Sequence, residues 1–149
     1  MKVKDCMCHE VAYLTPDSTI EDCAKLTCNK HIGCVPICDT NKTVVGLVTD
    51  RDVILRSIAC DKDIKNTPIS DIMTRNVCTC NQNDNLTNAQ VQMSKNQIRR
   101  LPVCDENNQI VGMLTFGDLA QNDIEIGKHE VSATIRNICS CNGQTKNAE

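Results

Sequence analysis

Residues 5–55 of this chain align with residues 71–121 of the same chain, without a gap, at a constant offset of 66. The identical pairs are Asp5/Asp71, Met7/Met73, Val11/Val77, Ile32/Ile98, Pro36/Pro102, Cys38/Cys104, Asp39/Asp105, Asn41/Asn107, Val45/Val111, Gly46/Gly112, Thr49/Thr115 and Asp52/Asp118. Chance at ordinary composition gives about three such pairs. Ile20/Leu86, Val35/Leu101 and Val53/Leu119 are conservative matches in the same register. A duplicated unit of this size constrains the fold strongly. Two copies are too few for an open solenoid, so they are expected to pack on each other.

Each copy carries the same order of signals. Val11–Thr15 reads as a short strand ending at Pro16. Ser18-Thr19-Ile20-Glu21 reads as a capping box that starts a helix with Ile20, Cys23, Ala24 and Thr27 on one face. In the second copy Asp84 is the expected N-cap, and Leu86, Ala89 and Met93 form the stripe. Val35–Cys38 is a strand, Asp39–Lys42 has turn chemistry matched by residues 105–108, and Val44–Val48 and Ile110–Leu114 are returning hairpin strands. Asp50–Ile58 and Gly117–Gln121 read as second helices. The order strand–helix–strand–strand–helix makes an α/β unit. The expected divisions are repeat 1 at residues 1–60, a polar linker at 61–70, repeat 2 at 71–122, and a C-terminal helix and tail at 123–149. In that last part Ile124, Val131, Ile135 and Ile138 make an apolar stripe, Gly127 weakens the first turn, and Ser140–Glu149 reads as a frayed tail.

Composition excludes several classes of function. The chain has 149 residues, a net charge of −3 and no basic block, so a broad nucleic-acid footprint is not expected. One Tyr, one Phe and no Trp remove base-stacking platforms. No apolar run approaches the ~18 residues needed to span a bilayer, and no apolar h-region follows the N-terminus. A cytoplasmic location is therefore expected. There the 12 Cys would be reduced, acting as packing residues, metal ligands or redox groups. Three C-x-C pairs occur, at Cys6/Cys8, Cys78/Cys80 and Cys139/Cys141, whose members would face the same way on a strand. No pair of C-x₂-C knuckles at zinc spacing is present, so no metal ligands are assigned. Cys23, Cys34 and Cys38 stand where apolar residues would, as free Cys packs. His31 reads as a surface or turn residue and His129 as exposed on the appended helix, while His9 beside Cys6 and Cys8 could complete a metal set, against which Cys6 matches Ile72 at an ordinary apolar place.

Thr49-Asp50-Arg51-Asp52 and Thr115-Phe116-Gly117-Asp118 each follow an apolar strand and open a helix. As structure this is a capping box, with Thr as N-cap and Asp at N3. As chemistry, a carboxylate accepts two hydrogen bonds and suits the vicinal hydroxyls of a ribose, while a Thr hydroxyl and unpaired helix-start amides suit a phosphate. One carboxylate can do both jobs.

The segments Val44-Val45-Gly46-Leu47-Val48-Thr49-x-x-Asp52 and Ile110-Val111-Gly112-Met113-Leu114-Thr115-x-x-Asp118 resemble the hxGhhTxxD ends of cystathionine-β-synthase (CBS) domains. Val35-Pro36-Ile37-Cys38-Asp39 and Leu101-Pro102-Val103-Cys104-Asp105 resemble that family's hPVhD strand, and Lys4-Asp5-Cys6-Met7 and Ser70-Asp71-Ile72-Met73-Thr74 its vxDhMT lead-in. The resemblance covers roughly residues 3–121. It implies a tandem CBS pair, a Bateman module, with two sheets packed about a pseudo-two-fold and clefts between the repeats. It also implies an adenosine-containing ligand: AMP, ADP, ATP, NAD or S-adenosylmethionine. The ribose Asp maps onto Asp52 and Asp118, and its Thr onto Thr49 and Thr115.

The two copies differ where the family's basic residues reach phosphates. The second has Arg99 and Arg100 before Leu101-Pro102; the first has Gly33 and Cys34. Arg is suited to phosphate by its planar, permanently charged fork. Arg51 lies inside the first motif, where the second has Gly117. Whether a cleft draws its Asp and its Arg from one copy or from both stays open. Tyr13 and Thr15 are candidate cleft walls. No catalytic constellation emerges: Gly-x-Ser-x-Gly, the P-loop and His-Glu-x-x-His are absent. The chain reads as a regulatory module rather than an enzyme. It is expected to need no cofactor, to form a homodimer with the C-terminal segment contributing, and to signal through its assembly or an unidentified protein partner. The alternatives are a cysteine-based metal or redox sensor on the same scaffold, and a purely structural dimerisation module.

Overall fold

The structure, a computed structural model, describes residues 1–140. The chain divides into two compact units, and they do not coincide with the two repeats. One comprises Glu10–Cys78 with Cys104–Ile110; the other comprises Met1–His9, Thr79–Val103 and residues from Val111 onward. They are called the first-repeat unit and the second-repeat unit below.

In the first-repeat unit, α1 (Ile20–Lys30) starts one residue later than the sequence suggests. Thr19 is the N-cap: its Oγ1 accepts from the Asp22 N–H at 3.1 Å, and its own N–H donates to Asp22 Oδ2 at 2.9 Å. Ser18 is not available as a cap, because its Oγ accepts from the Thr15 N–H at 3.3 Å in the preceding turn. That bond also explains why the expected strand Val11–Thr15 contracts to one bridge, Leu14 beside Ile37. Thr15 turns away before a second pair can form. The helix ends at His31, in the left-handed conformation at φ 54°, and Gln97 repeats this at φ 52°. β1 (Cys34–Cys38) pairs antiparallel with β2 (Val44–Thr49) in the register Val35↔Val48, with a bulge between Ile37 and Cys38. α2 (Asp50–Arg56) follows directly and is two residues shorter than expected, giving way to a 3-10 turn at Ile58–Cys60. The core joins Ile20 and Cys23 of α1 to Val35, Ile37 and Val48 of the sheet and to Ile69, Ile72 and Met73.

The expected linker is a docked part of this unit. The first two amides of α1 have no intrahelical acceptor; Ile20 N–H donates to Thr67 O at 3.1 Å and Glu21 N–H to Ile64 O at 2.9 Å. Thr74 then exchanges two backbone bonds of 2.9 Å with Leu47. The lead-in of the second repeat thus lies on the sheet of the first. The converse holds in the second-repeat unit. Val3 N–H donates to Asp84 O at 3.0 Å, Leu86 N–H to Met1 O at 3.0 Å, and Cys8 pairs with Met113 at 2.9 and 3.0 Å. The motif glycines make room for these exchanged segments. A Cβ on Gly46 would collide with Met73, and one on Gly112 would meet Met7 and the Cys8 carbonyl.

The second-repeat unit holds a sheet of order β3 (Cys80–Asn81), β4 (Arg100–Cys104) and β5 (Ile110–Thr115), with β4 and β5 ending in the turn that belongs to the other unit. α3 (Leu86–Asn96) is capped by Asn85, whose side chain accepts from the Thr87 N–H at 3.0 Å. The expected cap, Asp84, instead accepts from the Asn81 N–H at 2.9 Å. Leu86, Ala89 and Met93 are buried as expected. After α4 (Phe116–Gln121) come α5 (Asp123–Ile126) and α6 (Lys128–Cys139), broken at Gly127 with φ 110°.

α6 docks on α3 and α4 of its own chain, burying Val131, Thr134 and Ile138, while Ile124 stays 85% exposed. The stripe is explained within one unit, and Ile124 does not belong to it. The C-terminal tail beyond Ser140, Cys141 included, lies outside the described residues. Burying one aliphatic side chain contributes roughly 1.5–3 kcal/mol. A chain ending at Asp123 is therefore expected to lose about 3 kcal/mol in urea unfolding; an unchanged midpoint would show that α6 does not stabilise the unit.

The cysteines divide by burial rather than by pairing. Cys23, Cys34 and Cys38 are core residues. Cys6 is buried and Cys8 exposed, so this C-x-C pair does not face one way; the segment is a 3-10 turn and a lone bridge rather than a strand. Burial raises the Cys6 and Cys23 thiols to about 11, helped by the Asp118 and Asp52 carboxylates respectively. Burial, with Cys104 and Asp39 nearby, raises Cys38 to about 12. Such groups keep their protons in the folded state after the unfolded chain has lost them near 9. Their contribution to stability is full below that pH and is lost as pH rises through the folded values. The unfolding midpoint should fall between about pH 9 and 11 and fall less in Cys23→Val. Equal slopes in both proteins would contradict this assignment.

Candidate functional site

In both units a Thr-x-x-Asp element sits where an apolar strand runs straight into a helix. At the first, Thr49 caps α2: its Oγ1 accepts from the Asp52 N–H at 3.2 Å, and its N–H donates to Asp52 Oδ2 at 2.9 Å. At the second, Thr115 caps α4 with the same two bonds, at 3.2 and 2.7 Å, and its hydroxyl also donates to Asp118 Oδ2 at 2.7 Å. The structural role read from the sequence is thus in place twice.

The two carboxylates differ in what remains to them. Arg56 Nε lies 3.6 Å from Asp52 Oδ1, one turn along α2. The same guanidinium is tied down by Nη1, which donates to Ile72 O at 3.1 Å and to Thr74 Oγ1 at 3.4 Å. Asp52 therefore has one oxygen in the cap and the other facing an anchored cation. Asp118 keeps both cap bonds on Oδ2, and Oδ1 has no hydrogen-bond or ion-pair partner among the described residues. Asn122 occupies the place of Arg56; its Nδ2 donates to Asp118 O at 2.8 Å, leaving the carboxylate alone. Arg56 is a neighbour of this element that the motif alone does not point to. Its signal was the acid-to-base spacing of four within a helix.

The second-repeat unit also brings the backbone of Arg99, and with it Arg100 as the next residue, to the start of α4. Phe116 N–H, at the start of α4, donates to Arg99 O at 3.1 Å. Arg99 is exposed and Arg100 half-buried, and neither has a side-chain partner among the described residues. Asp118 and the two cations thus belong to one unit. In the first-repeat unit the equivalent bond runs from Asp50 N–H to Gly33 O at 3.2 Å, where no cation precedes the strand. Arg51 is exposed there, beside Asp52.

Other candidates take more modest places. Leu101 and Pro102 are buried in β4, the central strand of its sheet, so their side chains are packing groups. Thr15 Oγ1 donates to Asp17 Oδ1 at 2.6 Å within its turn, which commits the hydroxyl locally. Tyr13 is half-buried next to Leu14, whose backbone pairs with Pro36 and Cys38. Among the described residues no group of three or more His, Cys, Asp or Glu is placed to hold a metal ion. No helix among them is long and apolar enough to cross a membrane.

Residues 3–58 and 69–125 match the CBS domain family. The chain belongs to that family. It is a CBS-domain pair with a mixed α/β fold, and the two matched segments are the two repeats. The chain is 36% identical over 136 residues to the CBS domain-containing protein YhcV of Bacillus subtilis, covering 91% of this chain and 94% of that one. It also matches homoserine O-acetyltransferase of Methanosphaera stadtmanae at 36% over 119 residues, but spans only 23% of that protein. Among solved structures, the CBS domain pair of MJ0100 in complex with 5′-methylthioadenosine and S-adenosyl-L-methionine has a TM-score of 0.71 at 29% identity, covering 86% of this chain and 98% of that one. CBSX2 in complex with AMP has a TM-score of 0.71 at 26% identity, covering 84% and 97%. Hypoxic Response Protein I with two coordinated zinc ions has a TM-score of 0.74 at 25% identity, covering 81% and 98%.

Proposed function

We propose that this CBS pair is a regulatory module that binds an adenosine-containing ligand, with its principal ribose and phosphate contacts in the second-repeat unit. The observation that carries this reading is Asp118 Oδ1, unpaired among the described residues, at a helix start whose first amide is bonded to Arg99. A carboxylate oxygen with two lone pairs accepts from both hydroxyls of a ribose. Arg99 and Arg100 supply bidentate, permanently charged donors for a phosphate. The AMP complex of CBSX2 and the S-adenosyl-L-methionine complex of MJ0100 support the ligand class. Thr115 serves by holding Asp118 in place, and Thr49, Arg51 and Asp52 form a second, weaker element whose acid is already engaged by Arg56. Such a ligand acts on the protein only through its different affinities for two states, whether of this chain, its assembly or a separate partner.

The phosphate assignment has its own test. Replacing Arg99 and Arg100 together by Ala should weaken AMP or ATP roughly ten-fold or more, while leaving adenosine within a few-fold, since hydrogen bonds to charged groups contribute about 1.5–3 kcal/mol each. Calorimetric titration of the three ligands distinguishes the cases. Equal losses for all three would mean that these side chains serve the fold instead.

A further inference from the structure

A groove of about 500 Å³ runs along the second-repeat unit between α3 and α6. The ends of the two helices are joined: Gln97, after α3, donates through Nε2 to Ser140 O, after α6, at 2.7 Å. The helices therefore run in the same direction, with Thr87 and Glu130 at one end of the groove and Lys95 and Asn137 at the other. Between them lies Gln90, only 3% exposed. Neither its Nε2 nor its Oε1 has a hydrogen-bond partner among the described residues. A buried amide with an unmet donor and an unmet acceptor carries a desolvation cost that an apolar residue of that size would avoid, so it calls for a partner beyond the described side chains. Thr134, which lines the groove from α6, has its hydroxyl committed to Glu130 O at 3.0 Å and does not supply the missing partner.

We propose that this groove binds a short zwitterionic peptide. The internal amide of such a peptide offers one N–H and one C=O to Gln90, whose amide atoms are closed to solvent as placed and turn into the groove by rotation about the side-chain torsions. Its ammonium faces Glu130 and its carboxylate Lys95. The span fits. Eight helical residues separate Thr87 from Lys95, about 12 Å of helix axis, and an extended chain covers up to ~3.3–3.6 Å per residue, so about three residues fill the groove. The apolar Val91 and Ala133 at its sides suit small side chains. The helix-start site is on a different element, so this proposal does not depend on the adenosine reading.

The test is titration of the full ¹⁵N-labelled chain with zwitterionic trialanine, followed through the Gln90 side-chain NH₂ resonance and the amides of α3 and α6. Saturable shifts confined to these groups are expected. Gln90→Leu, which removes two buried polar atoms and should fold at least as well, abolishes them. Lys95→Glu, or trialanine acetylated and amidated at its ends, weakens binding ten-fold or more. No saturable shift, or full binding by Gln90→Leu, would overturn the proposal and leave Gln90 a residue hydrated by ordered water.

Discussion

Replacing Asp118 by Asn lowers affinity for the adenosine ligand at least ten-fold, while Asp52→Asn costs markedly less. The change is nearly isosteric and keeps an acceptor for the Thr115 N–H, so the α4 cap survives. What it removes is the charge that strengthens both ribose hydrogen bonds, and each charge-assisted bond contributes roughly 1.5–3 kcal/mol. The difference between the two positions comes from Arg56. It already lies 3.6 Å from Asp52 Oδ1, so that oxygen has less to offer a sugar. The cycle can be completed with Arg56→Met, which frees Asp52; affinity at the first-repeat element should then rise. Calorimetry on the four proteins checks this. Equal effects of Asp118→Asn and Asp52→Asn would refute the asymmetry, and no effect of either would refute the ribose role.

The largest effect of a single substitution on stability is expected at Gly112. An added Cβ would lie 2.6 Å from the Cys8 carbonyl oxygen and 2.9 Å from Met7 Sδ. The carbonyl cannot give way, because it accepts from Met113 N–H at 3.0 Å in the pairing that holds the lead-in segment. Gly112→Ala must therefore break that pairing or displace β5. Overpacking of this kind costs about 1–3 kcal/mol, and here the upper end is expected, lowering the thermal midpoint by roughly 5 °C or more. Gly46→Ala meets only Met73, whose side chain is flexible, and should cost less. A Gly112→Ala protein that melts with wild type would show that the lead-in segment is loosely held.

Much of this architecture was legible because the sequence is written twice. Each strand and helix could be checked against its copy, and the Thr-x-x-Asp caps formed in both. What the pattern hid were features decided by tertiary pairing. Nothing local marks residues 64–67 as acceptors for the first amides of α1, so a polar run read as a linker. The exchange of lead-in segments was invisible for the same reason, although Gly46 and Gly112 carry its steric signature. Caps slipped by one residue at Ser18 and Asp84 because neighbouring turns claimed those side chains first. The stripe on α6 fits either docking on its own module or a seam between chains, because both need the same apolar face, and only the packing on α3 and α4 shows that the first occurs. At the site, the placement of Asp118, Arg99 and Arg100 in one unit could not be read from either motif alone. It depended on the backbone bond between β4's approach and the start of α4.

Isothermal titration of the chain with AMP, ADP, ATP, NAD and S-adenosylmethionine, with guanosine monophosphate as the control, tests the adenosine assignment. Saturable binding of at least one adenosine ligand, stronger than the guanosine control and lost in Asp118→Asn, is expected. Absence of binding by the whole panel to folded protein, or binding unchanged by Asp118→Asn, would contradict it.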